Sequence, residues 1–191
     1  MTAVTNLLIV GVGGQGTILS SRILSHLLSN QGYQVKVSEI HGMSQRGGSV
    51  VTQVRFGDEV HSPIIRPGTV DTILSFEQLE ALRWLPWLKP VGKMIVNMQK
   101  LMPMPVITGQ AAYPDGIDAQ IKKTVPAAIL IDGLSLAKEA GNDKSVNLVL
   151  LGKLSKSMNL PEEAWIAAIR QTVNPKILDV NLTAFALGRN A

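Results

Sequence analysis

An apolar run, Leu7-Leu8-Ile9-Val10, empties directly into Gly11-Val12-Gly13-Gly14-Gln15-Gly16, and no other stretch constrains the fold as much. A short apolar run bounded by glycine is the pattern of a strand buried on both faces. From Gly16 to Asn30, the residues Ile18, Ile23, Leu24, Leu27 and Leu28 recur at helical spacing and are expected to share the inner face of a helix. The unit therefore reads as strand, tight turn, helix. Glycine suits such a turn because it accepts positive φ and lets the backbone come close to a ligand. The free N–H groups and dipole at the helix start make the turn an anion seat.

Gly11, Gly13 and Gly16 meet the G-x-G-x-x-G spacing in its required context, after a strand and before a helix. A second strand, Tyr33 to Ser38, ends at Glu39, about where a dinucleotide-binding fold keeps its ribose-binding acid, ~20 residues on. Two readings stand side by side. Either the turn holds a nucleotide-like group, or the glycines serve only close strand–helix packing and Glu39 is an ordinary strand-end carboxylate.

The segment Ile40-His41-Gly42-Met43-Ser44-Gln45-Arg46-Gly47-Gly48-Ser49 has no apolar periodicity and is rich in polar donors. It leaves the carboxyl end of the second strand beside the glycine turn, where open α/β sheets keep their ligands. Val50 to Phe56 alternates, and Gly57-Asp58 is expected to fold it against Glu59 to Ser62 as an antiparallel hairpin. Further buried strands are expected at Val70 to Phe76, Lys93 to Asn97 and Ala127 to Ile131. A helix is expected from Glu77 to Leu88, with Leu79, Leu82, Leu85 and Leu88 inward and a solvated Glu80–Arg83 pair. Between Met98 and Thr124 the pattern weakens, with Met102 and Met104 read as loose core filling ahead of a partner contact, and a short helix within Asp115 to Lys123. The remainder is helical: Leu134 to Ala140 capped by Gly141, Val146 to Met158, Pro161 to Gln171 and Ile177 to Leu187. The fold class is a three-layer α/β/α domain with a Rossmann-like start, a β-hairpin insertion and a mostly helical carboxyl-terminal part, spanning 1–191 as one domain.

Composition narrows the chemistry. With no cysteine, the chain cannot itself supply a disulfide, a thiolate metal site, a cysteine-ligated cluster or a cysteine nucleophile. His26, His41 and His61 lack chelating spacing, so no metal ligands are assigned. Asp115 and Asp118 are a poor acid/base pair, no G-x-S-x-G elbow is present, and no catalytic residue is assigned. A net charge of +4 without a Lys/Arg block gives no support to nucleic-acid binding. No apolar stretch reaches membrane-spanning length and no signal sequence is evident, which makes a cytoplasmic protein the expectation. At 46% hydrophobic and 17% charged residues, the chain is expected to carry a surface covered by a partner.

Gly11 to Gly16, then His41-Gly42-Met43-Ser44-Gln45-Arg46-Gly47-Gly48-Ser49-Val50, the segment Ser62-Pro63 to Gly68, and Glu77-Gln78-Leu79-Glu80-Ala81-Leu82-Arg83 resemble the gamma subunit or domain of the 2-oxoacid:ferredoxin oxidoreductases. The stand-alone length is nearest to the indolepyruvate branch. The resemblance implies a larger alpha subunit that carries thiamine diphosphate, magnesium and iron–sulfur clusters. It also implies oxidative decarboxylation of an aryl 2-oxoacid, electron transfer to ferredoxin, and coenzyme A as co-substrate. Under it, the cofactor-binding candidates are Gly11, Gly13, Gly14, Gln15, Gly16, Ser44, Gln45 and Arg46. They would face the subunit interface and either meet coenzyme A phosphates, help close the thiamine pocket, or hold only the partner. Two other classes remain open: an independent NAD(P)- or nucleotide-binding protein using Gly11, Gly13, Gly16 and Glu39, and a ligand-free structural adaptor.

Overall fold

The structure is a computed structural model that describes residues 4–42 and 47–191. Six strands form one sheet: β1 (Thr5–Val12), β2 (Gln34–His41), β3 (Ser49–Gly57), β4 (Val70–Ser75), β5 (Leu88–Asn97) and β6 (Ile129–Ile131), in the spatial order β2-β3-β1-β4-β5-β6. β1 pairs in parallel with β4, β4 with β5 and β5 with β6, whereas β3 runs antiparallel to both neighbours. β2 consequently runs the same way as β1 but one strand further out. The carboxyl ends of β1, β2, β4, β5 and β6 and the start of β3 all meet at one end of the sheet.

Alternation along the strands feeds two separate cores. Leu7 and Ile9 face one side, with Leu74, Ile95 and Ile131. That side is covered by α1 (Thr17–Asn30), α5 (Gly133–Glu139), α6 (Val146–Ser155), α7 (Glu162–Thr172) and α8 (Leu178–Asn190). Leu8 and Val10 face the other, with Ile73, Met94 and Val96, under α2 (Gln78–Trp84) and α4 (Ile117–Thr124). A one-turn helix, α3 (Met104–Ile107), lies in the excursion between β5 and α4. The layers are thus helix, sheet, helix.

α6 is buried around most of its circumference, since Val146, Leu148, Val149, Leu150, Leu151 and Leu154 are all inaccessible. It crosses α8 with almost no space between the backbones. A Cβ at Gly152 would lie 2.0 Å from the Phe185 carbonyl oxygen, and one at Gly188 would lie 1.9 Å from that of Val149. Glycine is required at both positions by contact rather than by backbone angle.

Several expectations are corrected. The hairpin partner of β3 is β2, and residues 59–62 form no strand. Both edges of β3 are taken by β1 and β2, so no edge remains for a third pairing. Side chains of β3 instead serve the following loop: Arg55 Nη1 donates to the Ser62 carbonyl at 2.7 Å, and Gln53 Oε1 accepts from the Ile65 N–H at 2.6 Å. α2 ends at Trp84 and a 3₁₀ turn over Leu85–Trp87 follows, with Pro86 in its first turn, so that Leu88 opens β5. A proline there cannot supply the N–H that a continuing α-helix needs. Ile18 is 39% exposed instead of facing the core, and Met102 and Met104 are exposed instead of filling it.

Candidate functional site

The glycine turn joins β1 to α1 at the sheet end where the parallel strands terminate. Gly14 and Gly16 hold φ of 98° and 84°, and Gly16 is the left-handed residue that starts α1. Gly11 is needed for space, because a Cβ there would lie 2.9 Å from both Gln15 Oε1 and Phe76 Cβ. Two amides of the turn are already engaged: Gly13 N–H donates to the Gly48 carbonyl at 2.9 Å and Gln15 N–H to that of Val12 at 3.2 Å. The N–H groups of Gly14, Gly16, Thr17 and Ile18 find no acceptor among the described residues. α1 has no acidic residue in its first turn and no side-chain cap, so its own side chains leave the positive end of its dipole uncompensated.

Gln15 belongs to the frame of the turn. Its Oε1 accepts from Val12 N–H at 2.8 Å, and its Nε2 donates to the Phe76 carbonyl at 3.0 Å and to Gln99 Oε1 at 3.2 Å. Asn97, fully buried at the end of β5, donates to the same Phe76 oxygen at 3.0 Å and accepts from Gly133 N–H at 3.0 Å. This chain of amides ties together the ends of β1, β4 and β5 and the start of α5. It fills the crevice where α1 and α2 leave to opposite faces, the place where open α/β sheets bind ligands.

A cleft of about 660 Å³ opens beside the turn, between Gly14–Gly16 and the start of α6. Lys144, Ser145, Asn147 and Asn181 line its far wall. Ser145 is the residue before α6; it is 1% exposed, and its Oγ has no hydrogen-bond partner among the described residues. The cleft therefore sees the amino-terminal ends of two helices, α1 and α6, with several amides and the adjacent exposed pair Asp143 and Lys144, whose charges offset each other. That arrangement can hold an anion.

On the other side of the turn, Ile18, Arg22, His41, Gly42 and Val50 border a second cleft of about 600 Å³. Ser44, Gln45 and Arg46 lie outside the described residues, but the chain on both sides of them is fixed next to the turn. Gly42 N–H donates to the Ser49 carbonyl at 3.1 Å, and Gly48 is the residue that receives Gly13. Of the candidates, Gly11, Gly13, Gly14, Gln15 and Gly16 are brought together as one turn, with Gln15 turned inward.

The dinucleotide geometry is not reproduced. β3 separates β2 from β1, which sets Glu39 off by two strand spacings, ~10 Å, instead of one. Glu39 is engaged locally, accepting from Ser21 Oγ at 2.6 Å and lying 3.7 Å from His41 Nε2.

A second polar cluster escaped the sequence reading. Glu77 and Glu80 are buried, not on a solvated face. Glu77 caps α2 by accepting from Glu80 N–H at 3.0 Å, and its other oxygen accepts from Leu101 N–H at 3.2 Å and from the Tyr113 hydroxyl. Glu80 accepts from Ser49 Oγ at 2.6 Å and lies 3.3 Å from Arg83 Nε. Burial first, and then the Glu77 carboxylate, hold the Tyr113 phenol well above the ordinary tyrosine range. The sole local signal was a Glu at the first position and another three residues on. The partners Ser49, Leu101 and Tyr113 are remote in sequence. No group of three or more His, Cys, Asp or Glu able to hold a metal occurs among the described residues. No helix among them is long and apolar enough to cross a membrane.

Comparison with known proteins gives one consistent answer. The family described as Pyruvate ferredoxin/flavodoxin oxidoreductase matches residues 6–191. The chain is 42% identical to the indolepyruvate oxidoreductase subunit IorB of Thermococcus kodakarensis, over 97% of this chain and 95% of that protein. It is likewise 42% identical to the IorB subunit of Pyrococcus horikoshii, with the same coverage. A ketoisovalerate oxidoreductase subunit VorA from Methanothermobacter marburgensis is 28% identical over 94% of this chain but only 35% of its own length. Among solved structures, a pyruvate oxidoreductase subunit from Thermotoga maritima has the same fold, with a TM-score of 0.75 at 19% identity, covering 99% of this chain and 97% of that one. A 2-oxoglutarate:ferredoxin oxidoreductase from Magnetococcus marinus, solved with 2-oxoglutarate, coenzyme A and succinyl-CoA, has a TM-score of 0.73 at 20% identity; the match covers all of this chain and 31% of that one.

Proposed function

Because the chain belongs to the pyruvate ferredoxin/flavodoxin oxidoreductase family, we propose that it is the smaller, cluster-free subunit of an indolepyruvate or related aryl 2-oxoacid:ferredoxin oxidoreductase. The observation that carries this reading is the 42% identity to IorB subunits over nearly the whole of both chains. The reaction consumes a 2-oxoacid and coenzyme A, releases carbon dioxide, and passes two electrons to ferredoxin as the acyl group joins the thiol. In the larger subunit, thiamine diphosphate with magnesium supplies the decarboxylation chemistry and iron–sulfur clusters take the electrons. The absence of cysteine fits that division, since this chain has no thiolate to offer a cluster. The work of residues 1–191 as one unit is then binding and positioning, in the cytoplasm, where ferredoxin receives the electrons.

Within that reading, the anion seat at the glycine turn receives phosphate groups of coenzyme A. Gly14 and Gly16 have N–H donors with no acceptor among the described residues, Lys144 stands on the opposite wall beside Asp143, and the two helix dipoles favour negative charge between them. Gln15 holds the turn in shape at the edge of the cleft, and Arg46 has the fork of donors that matches phosphate geometry.

The test is co-expression with an IorA-type larger subunit and assay of dye or ferredoxin reduction with indolepyruvate. Activity that requires both chains is expected. In the assembled complex, Lys144→Ala and Arg46→Ala are expected to raise the KM for coenzyme A roughly tenfold, about 1.4 kcal/mol, with little change in kcat. Unchanged KM in both variants, with a complex that falls apart more easily, would mean that this face holds only the partner.

A further inference from the structure

Among the described residues, nine large apolar side chains are conspicuously exposed, and they are not scattered evenly. Ile18, Ile40, Met102, Met104, Ile107 and Ile177 belong to the sheet end that carries the glycine turn: the first turn of α1, the end of β2, the excursion after β5 and the segment leading into α8. The other three, Ile64, Val91 and Ile129, lie in the loop before β4 and the opening residues of β5 and β6. Clefts occur at both ends of the sheet, including one of about 400 Å³ lined by Thr5, Asp71, Lys89 and Val91 at the far end, but the exposed apolar side chains gather at the glycine-turn end. Besides the two that border the turn, an apolar groove of about 480 Å³ runs from Val12 and Ser49 to Pro103, Met104 and Pro105.

The groove is built rather than loose. Its outer wall, residues 101–113, is held near both ends by the single carboxylate of Glu77, which accepts from Leu101 N–H and from the Tyr113 hydroxyl. Met102, Met104 and Ile107, between those tethers, are 47%, 58% and 64% exposed. Methionines on a fixed backbone make an adaptable apolar contact.

We propose that this end of the sheet, centred on the 101–113 wall and completed by Ile18, Ile40 and Ile177, is the surface on which the larger thiamine-diphosphate subunit docks. The inference rests on the function proposed above. It draws on one observation and on one consequence of that function. The observation is the clustering of exposed apolar side chains, which an isolated protein gains nothing by keeping on one face. The consequence is chemical. A coenzyme A whose phosphates sit at the glycine turn must bring its thiol to an acyl group that this chain has no group to carry, so the acyl-bearing centre has to abut the same end of the sheet. The unit also occurs as about a third of a longer chain in two of the proteins it resembles, covering 35% of one and 31% of the other.

The purified chain and an IorA-type subunit are titrated by interferometry, with Met104→Glu and Ile107→Glu as test variants and Val91→Glu and Ile64→Glu as controls. All four positions are more than half exposed, so thermal melts are expected to be unchanged. The expected result is at least tenfold weaker association for both test variants and wild-type association for both controls. Hydrogen exchange on the wild-type complex provides the second reading, with protection expected at residues 17–19 and 101–107. Wild-type association of Met104→Glu and Ile107→Glu, with loss in Val91→Glu and protection moved to residues 89–93, would overturn the docking surface and leave the subunit reading standing. No association of the wild-type chain at all would overturn both.

Discussion

Gln15 and Asn97 donate to one carbonyl oxygen, that of Phe76, each at 3.0 Å. Each amide also has its own charge of backbone, Val12 N–H for Gln15 and Gly133 N–H for Asn97. In either single variant, Gln15→Met or Asn97→Leu, the Phe76 oxygen keeps one donor. In the double variant it has none. The double variant is therefore expected to lose about 1 kcal/mol more than the sum of the singles, a coupling read from chemical denaturation of all four proteins. Strict additivity would mean that the two amides do not share their acceptor.

Glu77 makes a different prediction because its partner titrates. Tyr113→Phe removes a hydrogen bond to a carboxylate and is expected to cost about 1.5 kcal/mol at neutral pH. The phenol's value is raised in the folded protein, so folding retains a proton that the unfolded chain releases above about pH 10. The wild-type advantage is thus complete below pH 10 and is lost as pH rises beyond it. Melting curves between pH 8 and 11 should show wild type and Tyr113→Phe converging on the alkaline side.

Asp132 has the opposite sign. Its carboxylate caps α5, accepting from Ser135 N–H at 3.0 Å and Ser135 Oγ at 2.6 Å, and these bonds hold it below the ordinary aspartate range. The stabilisation is present above the unfolded value, about 3.9, and is lost as pH falls through the lower folded value. Asp132→Ala is expected to cost about 1 kcal/mol at pH 7, and the difference from wild type should narrow below pH 4.

Gly152 and Gly188 are expected to tolerate no side chain. A methyl at either position would overlap a backbone carbonyl of the facing helix, and neither partner atom is the movable end of a side chain. Gly152→Ala and Gly188→Ala should each cost about 3 kcal/mol or more, visible as a large drop in melting temperature or loss of soluble protein.

The parts of this molecule that were readable in sequence are those fixed by neighbours in the chain. The β1–turn–α1 unit declares itself because a strand buried on both faces is a continuous apolar run and the turn demands glycine where φ is positive. The helices from α5 to α8 announce themselves by period, proline and cap. What sequence did not reveal depends on partners far away. The insertion of β3 between β1 and β2 leaves no local trace, and it alone moves Glu39 away from the position a dinucleotide would need. Glu80 looked like part of an exposed helix face because its partner Ser49 is some thirty residues away in the chain, as are the Leu101 and Tyr113 groups that hold the neighbouring Glu77. The part of Gln15 in bracing the turn was equally out of reach, because the acceptor it finds, the Phe76 carbonyl, lies some sixty residues on. Family resemblance carried the functional reading further than local residues did, since the chain holds little reactive chemistry of its own.

The crossing of α6 and α8 also governs how the cleft can respond to whatever enters it. Lys144 to Asn147 stand at the head of α6, and Ile177 and Asn181 at the head of α8, on the same wall. Two helices whose backbones touch have no cushion of side chains to compress, so that wall moves as one stiff jaw. The facing side is the glycine turn, held by the Gln15 amide and already packed at Gly16 against Asn147. With both sides braced in this way, the cleft is a preformed slot, and a ligand that enters it must fit the spacing the two helices already set.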